Sequence, residues 1–332
     1  AGLLPSIDVN QIIADLGIPR LPQISSRSNG WRGIILVATT PFSENGSVDY
    51  GSIPAFADYL AGPGCEAVLL RGVAAETAYL DPAERHQLVR SFADTARGRF
   101  DLIVGLSVTG RAELVEEARA ALDAGASAIN WRPTPTMAVG ELVATLSAIE
   151  NAGARKIMLQ DFDITGPGLP LDSILRAHRE VEAFASIKVE TNDNLTKSAR
   201  IAEGVSRPLN LCAGWPVTGM IASLDAGVHG FMPTGLAPLL QHFYRLHHDG
   251  DRPRAVELFE RLAPLHKFMS ESLGQSIAVN KLLRQRESMF VTNLCRHPEA
   301  KLDLRKRATA ERLVEAALHL QAGINAADIE AC

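Results

Sequence analysis

The 332-residue sequence has few cysteines, and their positions exclude the usual metal and disulfide patterns. The four cysteines, Cys65, Cys212, Cys295 and Cys332, lie far apart, and no CxxC pair occurs. A zinc site is therefore disfavoured, and a chain of this length does not depend on disulfides to fold. We interpret the four side chains as reduced thiols and expect a cytoplasmic protein.

Long apolar runs and a basic excess are also absent. No window approaches the ~20 apolar residues of a membrane span, and the first residues lack the basic start and apolar core of a signal peptide. The formal net charge is -5, and basic residues are spread along the chain apart from a short cluster at 304–307. We therefore expect no membrane association and no nucleic-acid partner. This balance of acidic and basic residues suits a small-molecule enzyme.

Common motifs for metals and nucleotide cofactors are missing as well. The nine histidines form no HxH or HExxH pattern, which disfavours a metal-dependent mechanism. No GxGxxG motif follows the first apolar run, as it would in a dinucleotide-binding fold. We predict no metal and no organic cofactor.

What the sequence does contain is a regular alternation of apolar, β-branched runs with amphipathic segments. The runs predict strands at 33–40, 67–72, 101–108, 127–132, 156–162, 186–191, 209–214 and 228–235. The segments between them have helical periodicity. Eight strand–helix units over about 200 residues predict an α/β fold, the (β/α)8 TIM barrel, since a doubly wound open sheet usually has fewer units.

The same segmentation divides the chain into three parts. We assign residues 1–32 to an N-terminal extension, 33–236 to the barrel and 237–332 to a C-terminal helical region. The helical region is expected to pack on the barrel or on a neighbouring subunit.

Active sites of such barrels lie at the carboxyl ends of the strands. The segmentation therefore indicates a set of candidate residues at these ends: Thr39, Thr40, 72–76, Asn130, Arg132, Gln160, Asp161, Lys188, Glu190, Trp215 and Thr234.

The most informative candidate is Lys188, in the stretch SIKVE. Alternation along the strand puts Lys188 and Glu190 on one face, and Ile187 and Val189 on the other. If this apolar pair faces the helices, Lys188 points into the barrel, where burial disfavours the ammonium and leaves an amine that can attack a carbonyl to form a Schiff base. The alternative is a structural lysine that reaches the rim or pairs with Glu190 or Asp161.

Several segments carry a family resemblance. LVATTPFSENGSVDYG, followed by AVLLRGVAAETAYLDPAERHQLV, resembles the opening of the dihydrodipicolinate synthase / N-acetylneuraminate lyase family. DAGASAINWRPTP, DITGPGL, SIKVE and GVHGFMPTG follow in that family's order and spacing, from about residue 33 to the C-terminal helices. The resemblance implies a TIM barrel, a Schiff base between Lys188 and pyruvate or another 2-keto acid, and a homo-oligomer, either tetramer or dimer.

The sequence departs from the family at several functional positions. The family's Gly-Thr-Thr-Gly-Glu, which holds the keto-acid carboxylate, reads GVAAE at 72–76. Anchoring on the shared Thr-Gly at 165–166 puts Leu159 at the proton-relaying tyrosine, Gln160 at the asparagine after it and Ile164 at the arginine that binds aspartate semialdehyde. We therefore expect that this chain is not a true dihydrodipicolinate synthase.

These considerations assign roles to individual residues. Catalytic roles are predicted for Lys188, Asp161 and Glu190, and substrate contacts for Thr39, Thr40, Gly72, Val73, Ala74, Arg132, Gln160 and Thr234. The two carboxylates are either proton carriers or counter-ions of the lysine. Arg132 either anchors the substrate carboxylate or forms a structural ion pair. Glu76 is expected to cap the following helix.

Three functions remain open, in descending order of preference. The first is a Schiff-base lyase, either an aldolase or a dehydratase of a 2-keto-3-deoxy sugar acid. The second is an altered family member that binds a metabolite without turnover. The third is a barrel enzyme that uses Lys188 only as an electrostatic clamp on an oxyanion.

Overall fold

The computed structural model describes residue 24, residues 30–62 and residues 64–330, with residues 325–330 as backbone only. Parallel strands form a barrel in this part of the chain. The strands are β1 (Gly33–Ile34), β2 (Leu36–Val37), β3 (Ala67–Leu70), β4 (Asp101–Gly105), β5 (Ala128–Trp131), β6 (Ile157–Asp163), β7 (Phe184–Thr191), β8 (Asn210–Ala213) and β9 (Gly230–Phe231). Every predicted strand is present, with ends shifted by a few residues and the first strand divided into two.

The divided first strand closes the barrel. β1 pairs with β9 and β2 pairs with β3, so the sheet order runs from β1 through β9 and back down to β2. Between them, the backbone N–H of Ile35 donates to the carbonyl of Phe231 at 2.9 Å, and Ala38 donates to Leu69 at 2.9 Å. One segment therefore bonds to both neighbours, which leaves no free sheet edge. The predicted TIM barrel is confirmed.

Helices alternate with the strands and then continue beyond them. They are α1 (Ile53–Leu60), α2 (Pro82–Ala96), α3 (Arg111–Asp123), α4 (Val139–Asn151), α5 (Leu171–Glu180), α6 (Asn194–Gly204), α7 (Met220–Asp225), α8 (Ala237–His248), α9 (Arg252–Met269), α10 (Leu273–Arg286) and α11 (Leu304–Glu330). No helix in the described ranges combines the length and apolar character that crossing a membrane requires.

Two apolar layers follow from the alternation of side chains along the strands. One layer fills the barrel interior and includes Ile35, Leu69 and Met158. The other lies between strands and helices and includes Ile187 and Val189. Since those two residues face the helices, the predicted inward direction of the intervening side chain on β7 is confirmed.

The C-terminal helical region contributes to the barrel and to its mouth. Helix α8 packs on β1, where a Cβ at Gly33 would lie 3.0 Å from the ring of Tyr244, so α8 acts as the last helix of the ring. Helices α9 and α10 border the cavity described below. Of the predicted N-terminal extension, Ile24 is described, and its N–H donates to the carbonyl of Ala226 at 2.7 Å. Residues 1–23 and 25–29 lie outside the described residues.

Candidate active site

Lys188 lies inside the barrel near the carboxyl end of β7. Its side chain is buried, with the residue 5% exposed, and its strand neighbours in register are Gln160 on β6 and Cys212 on β8. The Nζ atom lies 3.1 Å from Oε1 of Glu190. The prediction that Lys188 and Glu190 share one face of the strand is therefore confirmed, and the two form a buried pair.

Glu190 is held on both of its carboxylate oxygens. Oε2 accepts a hydrogen bond from Nε2 of Gln160 at 2.7 Å, and Oε1 accepts one from the backbone N–H of Trp215 at 2.6 Å. Gln160 is itself oriented by Asn130, whose Nδ2 donates to its Oε1 at 3.3 Å. This row across β5, β6 and β7 fixes the carboxylate beside the lysine.

The space for this pair depends on a glycine after β8. A Cβ placed on Gly214 would lie 2.3 Å from Cε of Lys188 and 2.4 Å from Oε1 of Glu190. Both distances are far below a normal van der Waals contact. Any larger residue at this position would displace the lysine or the carboxylate.

A cavity of about 200 Å³ opens above the pair. Its barrel side carries Lys188, Glu190 and Gln160 together with apolar side chains, and the opposite side is formed by α9 and the start of α10. The volume is more than ten times the roughly 10–15 Å³ that one water requires, so a ligand of several heavy atoms fits. Of the predicted binding residues, those bordering this cavity are Gly72, Val73, Ala74, Gln160 and Thr234.

The structure brings Gln160, rather than Leu159, to the face of β6 that meets the lysine. Leu159 is buried in the layer between strands and helices and pairs in register with Ile187. The alignment anchored on the Thr-Gly pair at 165–166 places the family's tyrosine at Leu159. The side chain at that position points away from the cavity. No tyrosine borders the cavity in the part of the chain that the structure describes.

Four predicted site residues lie elsewhere. Thr40 donates from Oγ1 to the carbonyl of Ala75 at 2.7 Å, and Thr39 borders a separate cavity of about 10 Å³ that Thr234 also lines. Arg132 is exposed, with its guanidinium 5.4 Å from the ring centroid of Phe162. None of these three side chains reaches Lys188, and their substrate contacts remain predictions.

The fourth of these residues, Asp161, lies on the outer face of β6. It forms an ion pair with Lys197 of α6 and accepts a hydrogen bond from the N–H of Leu169 at 2.8 Å. Burial raises the pKa of Asp161, against the opposing effect of Lys197. The structure therefore brings Glu190, and not Asp161, together with Lys188.

Glu76 is structural, although not as the predicted helix cap. Asp81 caps α2, in a capping box with Glu84. Glu76 instead pairs with the buried Lys281 of α10, at 2.9 Å between Oε1 and Nζ. Its Oε2 accepts the backbone N–H of Arg296 at 2.6 Å, and that of the next residue at 2.7 Å. Glu76 thus ties the turn at 72–76, which borders the cavity, to the C-terminal helices.

Sequence reasoning missed the side of the cavity that the C-terminal region supplies. It comprises His266, Met269, Ser270, Glu271, Ser272, Leu273, Ser276 and Asn280. No motif marks these residues, and the rule that places barrel chemistry at strand ends does not reach them. The signal that could have found them is a histidine on the apolar face of a helix.

A closed (β/α)8 barrel with a buried lysine–carboxylate pair beneath a ligand-sized cavity defines an enzyme of the TIM-barrel class. The model of the Dihydrodipicolinate synthetase family matches residues 30–317. The chain belongs to this family, and the prediction of a lyase of the family is confirmed at that level.

Two curated relatives span most of the chain. It is 24% identical over 298 residues to the L-2-keto-3-deoxyarabonate dehydratase of Azospirillum brasilense, covering 86% of this chain and 94% of the relative. It is 26% identical over 245 residues to a 4-hydroxy-tetrahydrodipicolinate synthase of Dechloromonas aromatica, covering 71% and 82%.

Solved structures agree on the fold. The dihydrodipicolinate synthase of Rhodopseudomonas palustris superposes with a TM-score of 0.78 at 24% identity, over 88% of this chain and 99% of that one. The N-acetylneuraminate lyase of Aliivibrio salmonicida superposes with a TM-score of 0.76 at 18% identity, over 86% and 97%. At these identities the likeness concerns the fold alone.

Proposed function

We propose that this chain is a Schiff-base lyase that acts on a 2-keto acid through Lys188, as a dehydratase or an aldolase, and that it is not a dihydrodipicolinate synthase. The observation that carries the proposal is the buried pair of Lys188 and Glu190 beneath a cavity. A lysine at this depth meets a carbonyl substrate away from bulk water, which favours the imine.

The pair can perform the required proton transfers. The Lys188 nitrogen adds to C2 of the keto acid, the C2–O bond breaks, and the oxygen leaves as water, for which Glu190 can deliver the proton received from the lysine. The resulting iminium withdraws electrons from C3, so in a dehydratase Glu190, again a carboxylate, can accept a C3 proton and an enamine forms. The enamine then expels hydroxide from C4, which leaves as water with the proton that Glu190 returns. In an aldolase, Glu190 instead accepts the proton of the C4 hydroxyl as the C3–C4 bond breaks, an aldehyde leaves, and the enamine takes up that proton at C3. In both reactions, water hydrolyses the final imine and releases the product and Lys188.

The turn at 72–76 is the proposed place for the substrate carboxylate. Val73 and Ala74 border the cavity, and within the described ranges their backbone N–H groups have no hydrogen-bond acceptor. Such groups can hold a carboxylate without the hydroxyls that the family usually supplies here. The resemblance assigns the same turn to this role.

The choice against dihydrodipicolinate synthase rests on the rim of the cavity. Ile164, which stands where the resemblance places the arginine for aspartate semialdehyde, borders the cavity and is 41% exposed. An apolar side chain offers that carboxylate nothing. The match to a 2-keto-3-deoxy sugar acid dehydratase over 86% of the chain supports a substrate of that kind.

Borohydride trapping tests the proposal directly. Protein mixed with pyruvate, 2-keto-3-deoxyarabonate or 2-keto-3-deoxygluconate and then reduced should gain the mass of the reduced adduct, and digestion should place it on the peptide containing Lys188. A gain on another lysine, or no gain with any acid under conditions where the acids bind, would contradict it. Binding without an adduct would favour the metabolite-binding alternative.

Glu190 is expected to move protons rather than merely balance charge. In Glu190→Gln the side chain keeps its shape but cannot accept a proton, so turnover should fall by about 10²-fold. The imine should still form, more slowly, since Lys188 remains. Steady-state turnover and the rate of borohydride trapping check this, and unchanged turnover would leave Glu190 as a counter-ion only.

A further inference from the structure

His266 of α9 is a buried imidazole on the wall of the candidate active-site cavity. The residue is 1% exposed and borders the same cavity as Lys188. In the described part of the chain, Nδ1 is fully buried and has no hydrogen-bond partner. The ring lies 5.0 Å from that of Phe259, centroid to centroid. Burial lowers the pKa of His266 to about 4, so the imidazole is neutral at pH 7.

An imidazole in this position is unfavourable in the empty protein. A buried polar group without a partner costs roughly 1–3 kcal/mol relative to a paired one, and an apolar side chain of similar size would avoid that cost. Buried polar groups in native proteins are nearly always paired, so an exception calls for an explanation. A ligand in the cavity would supply the missing partner.

The surroundings of His266 determine what kind of ligand group this is. Ser270, Ser272, Ser276 and Asn280 share the side of the cavity formed by α9 and α10, which we call the polar roof. The barrel side opposite is largely apolar. Glu271 at the rim is paired with Lys306, whose Nζ lies 3.3 Å from its Oε2. Apart from Lys188, no lysine or arginine borders the cavity within the described residues.

This distribution favours uncharged polar groups over a second anionic group on the ligand. A phosphate or distal carboxylate would meet no lysine or arginine that lines the roof, and the nearby Lys306 is already paired with Glu271 at 3.3 Å. A neutral imidazole offers one donor and one acceptor, which a hydroxyl group matches in both directions. Serine hydroxyls and the asparagine amide have the same double capacity. The roof is therefore suited to an uncharged, polyhydroxylated chain.

We propose that the polar roof binds the hydroxyl groups beyond C3 of a polyhydroxylated 2-keto acid, with His266 as the residue that pairs with one of them and selects such substrates over pyruvate. The inference rests on the proposed function, because the imine at Lys188 places the substrate's C2 at the opposite side of the cavity. It assigns the substrate to unphosphorylated sugar acids with a single carboxylate.

The test compares two acids on matched variants. The measured quantity is the acid concentration that gives half-maximal borohydride trapping. It is determined for 2-keto-3-deoxyarabonate and for pyruvate on the wild type, His266→Leu and His266→Gln. Leucine should raise the value for the sugar acid about 5- to 10-fold, as loss of one hydrogen bond implies, and leave that for pyruvate unchanged. Glutamine, which keeps a donor and an acceptor, should recover part of the loss. His178→Leu, at a buried histidine of α5 away from the cavity, should change neither.

Each outcome bears on the proposal separately from the imine. Equal changes for both acids, or none, would overturn the role of the roof while leaving Schiff-base chemistry intact. If no acid forms an adduct, binding of L-arabonate, which has the hydroxyls but no ketone, is measured by calorimetry. If the affinity for L-arabonate falls at least about fivefold in His266→Leu and not in His178→Leu, the role of the roof is supported even then. If the affinity does not depend on His266, or if the wild type does not bind L-arabonate, the role of the roof is overturned.

Discussion

Lys188→Ala is expected to lower turnover by about 10⁴-fold or more and to abolish the borohydride adduct. The amine is the atom that would form the covalent bond, and no remaining group at its position can replace it. Removing the amine also leaves Glu190 buried without its cation. Turnover is measured on the substrate that traps best, and circular dichroism checks that the variant is folded.

Lys188→Arg separates covalent chemistry from a simple charge effect. The guanidinium keeps the positive charge beside Glu190 but stays protonated and forms no imine. The proposed mechanism predicts that this variant is as inactive as the alanine variant. If the arginine variant keeps substantial turnover and the wild type forms no borohydride adduct, Lys188 acts instead as an electrostatic clamp on an oxyanion.

Lys281→Met is expected to lower the free energy of unfolding by about 3–5 kcal/mol, the usual cost of leaving a buried charge without its partner. Lys281 is fully buried, 2.9 Å from Glu76 and 4.1 Å from the ring centroid of Phe42. Its ammonium also donates to the backbone carbonyl of Thr40. Burial lowers the pKa of Lys281, and the charge of Glu76 opposes that shift. Urea titration followed by circular dichroism measures the change.

The double variant Glu76→Gln with Lys281→Met is the matched control. It removes both charges, and glutamine can still accept the two backbone N–H groups that now bond to Oε2, so part of the lost stability should return. Glu76 also has a left-handed backbone, with φ of 60°, a strained conformation that surrounding contacts must maintain. If Lys281→Met unfolds within about 1 kcal/mol of the wild type, the pair does not hold the turn at 72–76.

The fold was accessible from the sequence because its signals are local. Apolar runs and helical periodicity repeat often enough that the barrel follows from their number. Strand alternation at Ile187, Lys188 and Val189 was equally informative, since the side-chain period of a strand is two. The division of the first strand could not be predicted from the sequence, because it depends on pairing with both β3 and β9.

Strand alternation put Glu190 on the face of Lys188, but the sequence left Asp161 as a second possible partner. Asp161 and Glu190 both lie near strand ends, and either could have met Lys188. The register between β6 and β7 pairs Gln160 with Lys188, which turns Asp161 outward to Lys197. A shift of β6 by one residue would have turned Asp161 inward beside Lys188 and Gln160 outward, since it moves every side chain of that strand to the other face.

The sequence by itself determined the barrel, the inward lysine and the family resemblance, because each depends on neighbours along the chain. Only the tertiary structure decided which groups share the cavity. Helices α9 and α10 return across the mouth of the barrel and bring His266 opposite Lys188, although the two residues are far apart in sequence. Their place in one cavity depends on how the C-terminal helices pack on the barrel, and no local pattern encodes the packing of distant segments.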